Sequence, residues 1–173
     1  MAIAGSFMKL LPKKNLDKIT VKDIVKECGI TRQTFYYHFQ DIMDLMEWVV
    51  SQKVNDALQT SLQIDDAEHA LKNFLTHAMD NQEISKQLLH SQKREQVEKL
   101  LAQAIKTYLK GMAEAKGLLE NVSRQELSMA LEFYAFGIVG IMIDLSQKKQ
   151  IDIDLVARQI LKLLTKPLFQ PDV

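Results

Sequence analysis

The sequence contains one cysteine, three prolines and six glycines in 173 residues. A single thiol, at Cys28, excludes an intrachain disulfide and a structural zinc site made of several thiolates. The N-terminus lacks the basic segment of a secretory signal, and no run approaches the ~20 apolar residues that cross a bilayer. We therefore expect a cytoplasmic protein without a membrane segment, and the sequence indicates no metal and no cofactor.

An excess of charge of one sign is also lacking, because 22 basic residues balance 22 acidic ones. This balance argues against a protein that coats nucleic acid through bulk electrostatics. The charges are unevenly placed, however: residues 1–40 carry seven Lys or Arg against three Asp or Glu, whereas the other 133 residues carry 15 against 19. This asymmetry either arose by chance or indicates a protein that contacts phosphates with one end.

Apolar residues at helical spacing are present along nearly the whole chain, without strand-like alternation of useful length. This periodicity predicts an all-α fold of about nine helices. The fourth helix is expected to run from a cap at Asp41 to Ala57 or beyond, followed by a connector at residues 60–66. The sequence Ser123-Arg-Gln-Glu126 matches a capping box and predicts the start of the eighth helix.

Residues 20–39 have the pattern of a helix-turn-helix. Two short helices flank a tight turn at Gly29 and Ile30, and Thr20 and Thr31 are expected to cap them. In this motif the first helix packs across the second so that the second can lie in the major groove of DNA, which requires apolar inner faces and polar outer ones. The side chains that can form the inner core are Ile24, Val25, Ile30 and Phe35.

The outer face of the second helix of this motif consists of donors and aromatic rings, and no carboxylate interrupts them. Side chains of this kind can reach phosphates and base edges, so the absence of acid is the main sign that this helix contacts DNA. The outward positions are Arg32, Gln33, Thr34, Tyr36, Tyr37 and His38.

The segment from Ile19 to Phe39, ITVKDIVKECGITRQTFYYHF, resembles the N-terminal domain of the TetR family of transcriptional regulators. The resemblance implies a three-helix DNA-binding domain with a helix-turn-helix, here residues 1–47, followed by a helical effector-binding and dimerisation domain, residues 48–173. It also implies that a homodimer binds a roughly palindromic double-stranded DNA operator, under the control of a small-molecule effector or a protein co-regulator in the C-terminal domain.

Carried over position by position, the resemblance implies that the caps and outer side chains of the motif contact bases or phosphates. The candidate DNA-binding residues are Thr20, Lys22, Thr31, Arg32, Gln33, Thr34, Tyr36, Tyr37 and His38. One position departs from the family, which usually has a lysine near the start of the fourth helix where this chain has Ile42. We therefore expect one phosphate contact fewer.

The eighth helix carries a second prediction, because the stretch from Phe133 to Ile143 is apolar all round and faces either the core or a subunit interface. Glycine inside a helix costs about 1 kcal/mol relative to alanine, so Gly137 and Gly140 indicate close approach of another helix. The resemblance implies that this helix and the last one form a four-helix dimer interface; a core helix within one chain is the alternative. The candidate interface residues are Phe136, Gly137, Gly140, Ile141, Val156, Ile160, Leu163 and Leu164.

The ligand cavity of this family lies among the fifth to eighth helices, so the resemblance also implies a set of pocket-lining residues. These candidates are Phe74, His77, Met79, His90, Tyr108, Met112 and Tyr134. The segment from Tyr36 to Trp48 and the apolar stretch of the eighth helix are similar to a subgroup that regulates dihydroxyacetone kinase genes, some members of which respond to a protein partner.

Two other classes of function compete with a regulator. An enzyme is disfavoured, since Asp, Glu and His residues are scattered without a paired-carboxylate, nucleophile–base or phosphate-cradling arrangement. A helical protein-interaction adaptor without sequence-specific DNA binding would explain the apolar body but not the acid-free face of the third helix. We therefore predict a homodimeric DNA-binding regulator that is not an enzyme.

Overall fold

The computed structural model of the chain describes residues 2–79, 82–148 and 150–166. These residues form nine α-helices and one short 3-10 helix, with no strand among them, which confirms the predicted all-α class. The α-helices are α1 (Ala2–Leu10), α2 (Val21–Cys28), α3 (Arg32–His38), α4 (Ile42–Leu62), α5 (Ala67–Met79), α6 (Gln82–Leu89), α7 (Arg94–Ala115), α8 (Arg124–Ser146) and α9 (Ile153–Thr165). The 3-10 helix spans Leu16–Lys18.

The start of α8 is set by the capping box that the sequence predicts. The Glu126 backbone N–H donates to Ser123 Oγ at 3.2 Å, and the Ser123 N–H donates to a Glu126 carboxylate oxygen at 2.9 Å. Each bond satisfies a backbone donor that would otherwise lack a partner at the helix N-terminus. Before this box, α7 ends at Ala115, and Gly117 follows with a φ of 66°, a left-handed conformation that glycine adopts without strain.

Helix α4 is longer than predicted, because it continues through residues 60–62 to Leu62. The prediction of a connector from residue 60 was wrong at these positions. Thr60 Oγ1 donates to the Asp56 carbonyl at 2.9 Å, which satisfies the hydroxyl within the helix, and Ser61 is buried. Thr60 and Ser61 are polar residues of a kind that indicates a loop, yet both lie inside the helix. The Thr60 hydroxyl bonds to the backbone one turn earlier, and Ser61 is enclosed by the protein.

The described residues divide into two compact units. The first contains residues 2–53 and 82–101, and the second contains residues 54–79, 102–148 and 150–166. The sequence-based boundary after residue 47 differs from this division, because α6 and the first part of α7 belong with the N-terminal helices.

The core of the first unit explains this grouping. Phe7, Phe35 and Leu45 are fully enclosed, and Ile84 of α6 and Val97 of α7 belong to the same buried apolar cluster. The Gln92 backbone N–H also donates to an Asp17 carboxylate oxygen at 3.0 Å, which links the segment before α7 to the 3-10 helix. Helical periodicity shows that α6 has an apolar face, but it does not show which core that face enters.

In the second unit, α9 packs along α5. Two ion pairs flank this contact: Lys72 with Asp154 at 2.5 Å, and Arg158 with Glu68 at 3.2 Å. Ile160 of α9 is buried within the chain. The packing of α9 within its own chain therefore uses one of the residues predicted for the dimer interface.

The interior of the second unit also contains a stacked aromatic pair. The rings of Phe74 and Tyr108 lie with their centroids 4.0 Å apart, and the Tyr108 hydroxyl donates to Ser61 Oγ at 2.9 Å. Desolvation by the surrounding protein raises the pKa of Tyr108 above its ordinary value. The buried hydroxyl keeps a hydrogen-bond partner, as the cost of an unpaired buried polar group requires.

Candidate nucleic-acid interface

The first helix of the helix-turn-helix, α2, is fixed at its N-terminus by a small polar network. The Asp23 N–H donates to Thr20 Oγ1 at 3.2 Å, and the Thr20 N–H donates to an Asp23 carboxylate oxygen at 2.8 Å, so Thr20 caps the helix as predicted. Lys14 Nζ lies 2.7 Å from the same carboxylate oxygen. This role of Lys14 is not evident from the sequence, because nine residues separate it from Asp23.

The hydrogen bond from the Lys14 ammonium is the largest of the effects that hold the pKa of Asp23 well below its ordinary value of 3.8. The hydroxyl and the N–H of Thr20 lower the pKa further. A carboxylate whose pKa is lower in the folded than in the unfolded protein stabilises the fold. The stabilisation is complete at pH values above the pKa of the unfolded state, and it is lost as the pH falls towards the pKa of the folded state. We therefore expect Asp23→Asn to lower the urea midpoint at pH 7, with a smaller difference at pH 3. An equal difference at both pH values would contradict the electrostatic account, and Asp56→Asn, an exposed change on α4, is the control.

The turn between α2 and α3 depends on Gly29. Its φ is 72°, in the left-handed region, and the N–H of Ile30 donates to the Val25 carbonyl at 3.0 Å. Only glycine adopts this conformation at little cost, which explains its place in the turn. Thr31 then caps α3, since its Oγ1 accepts the Thr34 N–H at 3.1 Å.

Helix α3 has one buried side and one exposed side. Phe35 is fully buried, and its ring contacts Tyr36 edge-on at a centroid distance of 5.5 Å. Tyr36 and Tyr37 remain 56% and 86% exposed, although both are large aromatic side chains. A tyrosine so exposed has little packing role, so these rings are available for a partner.

All nine residues predicted to contact DNA are exposed, and those of α3 form one continuous surface with no carboxylate on the helix. The exposed set is Thr20, Lys22, Thr31, Arg32, Gln33, Thr34, Tyr36, Tyr37 and His38. Of the predicted inner core, Ile24, Val25 and Phe35 are buried and Ile30 is half-buried. The motif thus exposes hydrogen-bond donors and aromatic rings on its outer side and buries apolar side chains on its inner side.

Two carboxylates lie directly after this surface, at the start of α4. Asp41 Oδ1 accepts the N–H groups of Met43 and Asp44 at 2.7 and 2.9 Å, and Asp44 Oδ2 accepts the Gln40 N–H at 2.8 Å. The N-terminus of a helix is a good site for a phosphate. Here Asp41 occupies two of these donors, as expected of the cap that the sequence predicts at this position.

The predicted interface on α8 and α9 is only partly exposed within one chain. Phe136, Gly137, Gly140 and Leu163 are exposed, and Ile160 is 97% enclosed by its own chain. The remaining candidates, which are half-buried, are Ile141, Val156 and Leu164.

Further apolar side chains that the prediction omitted lie beside the exposed candidates. Met129 and Phe133 are 69% and 74% exposed, and their spacing places them on the same side of the helix as Phe136, Gly137 and Gly140. We refer to these five residues as the α8 apolar face. Among the described helices, α8 is also long and apolar enough to cross a membrane by length and composition alone, which the sequence analysis did not expect.

The seven predicted pocket residues are not alike in the structure. Phe74 and Tyr108 are buried against each other, Met112 and Tyr134 are half-buried, and His77 and His90 are exposed. The side chain of Met79 lies outside the described part of the chain. His90 belongs to the first unit and the other described candidates to the second, so a single pocket formed by this set stays a prediction.

Two family models match the chain. The N-terminal residues 8–49 match a model described as "Bacterial regulatory proteins, tetR family". Residues 65–166, more than half of the chain, match a model described as "Transcriptional regulator C-terminal region". The first match covers the whole of the helix-turn-helix, and the second covers α5 to α9.

Similar proteins agree with these matches. A curated HTH-type transcriptional regulator of Staphylococcus aureus is 31% identical over 86 residues, which are 47% of this chain and 46% of that protein. The alignment thus spans about half the length of the curated relative.

Three solved structures share the fold along nearly their whole length. The dihydroxyacetone kinase operon activator DhaS has a TM-score of 0.66 at 21% identity, over 94% of this chain and 92% of that one. A TetR transcriptional regulator from Rhodococcus sp. RHA1 has a TM-score of 0.63 at 16% identity, over 97% and 96%. The fatty acid degradation regulator FadR from Bacillus halodurans has 0.56 at 14%, over 94% and 96%.

Proposed function

This chain belongs to the TetR family of transcriptional regulators, and on that premise we propose that it binds a roughly palindromic DNA operator as a homodimer. It is a regulator and not an enzyme. The observation that carries the proposal is the exposed, acid-free surface of α3 over its buried Phe35. A cytoplasmic location is part of the same proposal, because the operator would be there.

The side chains of α3 divide by chemistry into two groups. Arg32 and Gln33, in the first turn, have donors that can read base edges in the major groove, where arginine pairs with guanine and glutamine with adenine. Tyr36, Tyr37 and His38 have rings and polar tips suited to the sugar-phosphate backbone. The side chains suited to base contacts therefore lie at the start of this short helix, and those suited to backbone contacts lie towards its end. Base contacts from the N-terminal residues are usual for a recognition helix.

The homodimer is supported by the α8 apolar face. A Cβ added at Gly137 or Gly140 would meet no atom of the described residues within 4 Å, so no other described helix packs closely against these glycines. Contacts among the described residues therefore do not offset the cost of two glycines inside a helix. A second copy packed against this face would cover Phe133 and Phe136 and would use the space that the glycines leave.

Control of DNA binding by a small molecule or a protein partner in the C-terminal domain belongs to the same proposal. It is supported by membership of the family. The likeness to the dihydroxyacetone kinase operon activator is a likeness of fold, so assignment to that subgroup stays a prediction from the sequence.

The carboxylates at the start of α4 yield a prediction on affinity. Asp41 follows the exposed end of α3 by three residues, so its charge would repel nearby phosphates. We expect Asp41→Asn to bind operator DNA about fivefold more tightly at low salt, with a smaller gain at high salt because the repulsion is screened. Asparagine also caps helices, so α4 should be retained. A titration at two salt concentrations checks this, with Asp56→Asn as the control; unchanged or weaker binding would show that Asp41 lies away from phosphates.

The experiment that tests the proposed function is selection of genomic DNA fragments by the purified protein. One recurring inverted repeat among the recovered fragments is the expected result. Recovery of fragments without a shared sequence would contradict operator binding and favour the helical adaptor instead.

A further inference from the structure

Residues 13–23, which lead into α2 and form its first turn, carry four lysines and two aspartates. Both carboxylates are already bonded within the protein. Asp17 accepts the Gln92 N–H at 3.0 Å, and Asp23 accepts a bond from the Lys14 ammonium at 2.7 Å. In a helix-turn-helix the first helix crosses the DNA backbone, so the excess positive charge at the start of α2 is in a position to contact phosphates.

The Thr20 hydroxyl, at the start of α2, is used within the protein. Its proton goes to Asp23 Oδ2 at 2.6 Å, and its oxygen accepts the Asp23 N–H at 3.2 Å. A hydroxyl has a single proton to donate. While the capping box is intact, a phosphate beside Thr20 therefore needs a donor from another side chain.

Lys14 has such donors at the same place. Its Nζ bonds to the carboxylate oxygen that also accepts the Thr20 hydroxyl, so the ammonium and the hydroxyl are neighbours. An ammonium has three donors, and Asp23 is the one acceptor of Lys14 among the described residues. The Lys14 side chain is 36% exposed, so its remaining donors are open to a partner.

The same ion pair removes an obstacle to phosphate binding. Asp23 directly follows Lys22, which is a candidate DNA contact, and its negative charge alone would repel a phosphate at this turn. The Lys14 ammonium at 2.7 Å compensates that charge. Lys14 can therefore favour DNA binding both through its own donors and through Asp23.

We propose that Lys14 binds a phosphate of the DNA backbone at the start of α2, through the ammonium donors that its ion pair with Asp23 leaves free. The contact is added to an interface that lacks the usual lysine at Ile42. The inference rests on the proposed function and deepens it, because it assigns a further residue to the DNA interface. The competing explanation is that Lys14 only stabilises the fold through Asp23.

The salt dependence of DNA binding tests this contact. Each phosphate contact adds about 0.9 to the steepness of log K against log salt concentration, and a homodimer makes the contact twice. Lys14→Gln should therefore lower the steepness by about two and the affinity at low salt about tenfold. Lys14→Arg keeps the charge and should retain the steepness of the wild type.

Fluorescence anisotropy with a mixed-sequence DNA duplex measures both quantities, because phosphate contacts carry no sequence information. The control is Lys99→Gln, which breaks an ion pair with Glu95 on α7 in the same unit. Its steepness should equal that of the wild type. An equal decrease in Lys99→Gln and Lys14→Gln would overturn the proposal, because the effect would then be one of general charge.

A second pair of variants separates the DNA contact from the effect on the fold. In Asp23→Asn protein the carboxylate charge is absent, so Lys14 no longer acts through it. Adding Lys14→Gln to this variant should again lower the steepness by about two, with unchanged helical content by circular dichroism. Equal steepness in Asp23→Asn and the double variant would overturn the proposal, as would a wild type that does not bind the mixed-sequence duplex. Failure of the proposed function shows differently, as genomic fragments without a shared sequence.

Discussion

Replacement of Arg32 by alanine is expected to weaken operator binding about 100-fold, because a bidentate contact to a base contributes about 1–3 kcal/mol and a homodimer makes it twice. Arg32 is exposed on the first turn of α3 and contributes nothing to the buried core. The loss should therefore come without a change in helical content or in unfolding temperature. Titration of fluorescent operator DNA measures the affinity, and circular dichroism measures the fold.

Tyr37→Ala should also weaken DNA binding, but the loss of affinity should depend less on the DNA sequence. The tyrosine is the most exposed large apolar side chain of the motif, and a backbone contact would position the helix without reading bases. We expect weaker binding to operator and to unrelated DNA alike. Arg124→Ala removes an exposed arginine in the second unit and is the control. Full affinity in both α3 variants would reject α3 as the recognition helix.

Disruption of the α8 apolar face is expected to convert the protein to monomers. Wild type at micromolar concentration should sediment at about twice the 19.8 kDa of one chain. Phe133→Glu places a charge on this face. A central aromatic contact contributes about 2 kcal/mol or more, and a symmetric interface has two copies of it, so the dissociation constant of the dimer should rise about 1000-fold. Gly140→Trp should act in the same direction by filling the space beside the glycine.

The control for the dimer prediction is Leu118→Glu. Leu118 is 67% exposed but lies in the connection after α7, outside α8 and its apolar face. It therefore separates loss of the interface from the general effect of an added charge. A wild type that sediments as a monomer would contradict the dimer, and Phe133→Glu protein that remains dimeric would place the interface elsewhere.

Local signals in the sequence were sufficient for the helix-turn-helix. The caps at Thr20 and Thr31, the glycine at the turn and the buried Phe35 all depend on residues within a few positions of each other. Short-range hydrogen bonds and helical spacing determine them, so a single sequence contains the information. The same holds for the Ser123 capping box at the start of α8.

Contacts between distant segments could not be predicted in this way. The entry of Ile84 and Val97 into the N-terminal core and the burial of Ile160 against the chain itself depend on which helices meet in space. Periodicity gives the apolar side of a helix, but it does not distinguish a core from a subunit interface. For this reason the predicted dimer set included Ile160, which is enclosed, and omitted Phe133, which is exposed.

The central claim, that a homodimer presents two copies of α3 to one operator, is tested most directly by comparing an intact inverted repeat with the same duplex after one half-site has been scrambled. Binding to the intact repeat should involve two chains per duplex and should be at least about 100-fold tighter, since the scrambled duplex retains the base contacts of only one α3. Equal affinity for the two duplexes, or one chain bound per intact repeat, would contradict it.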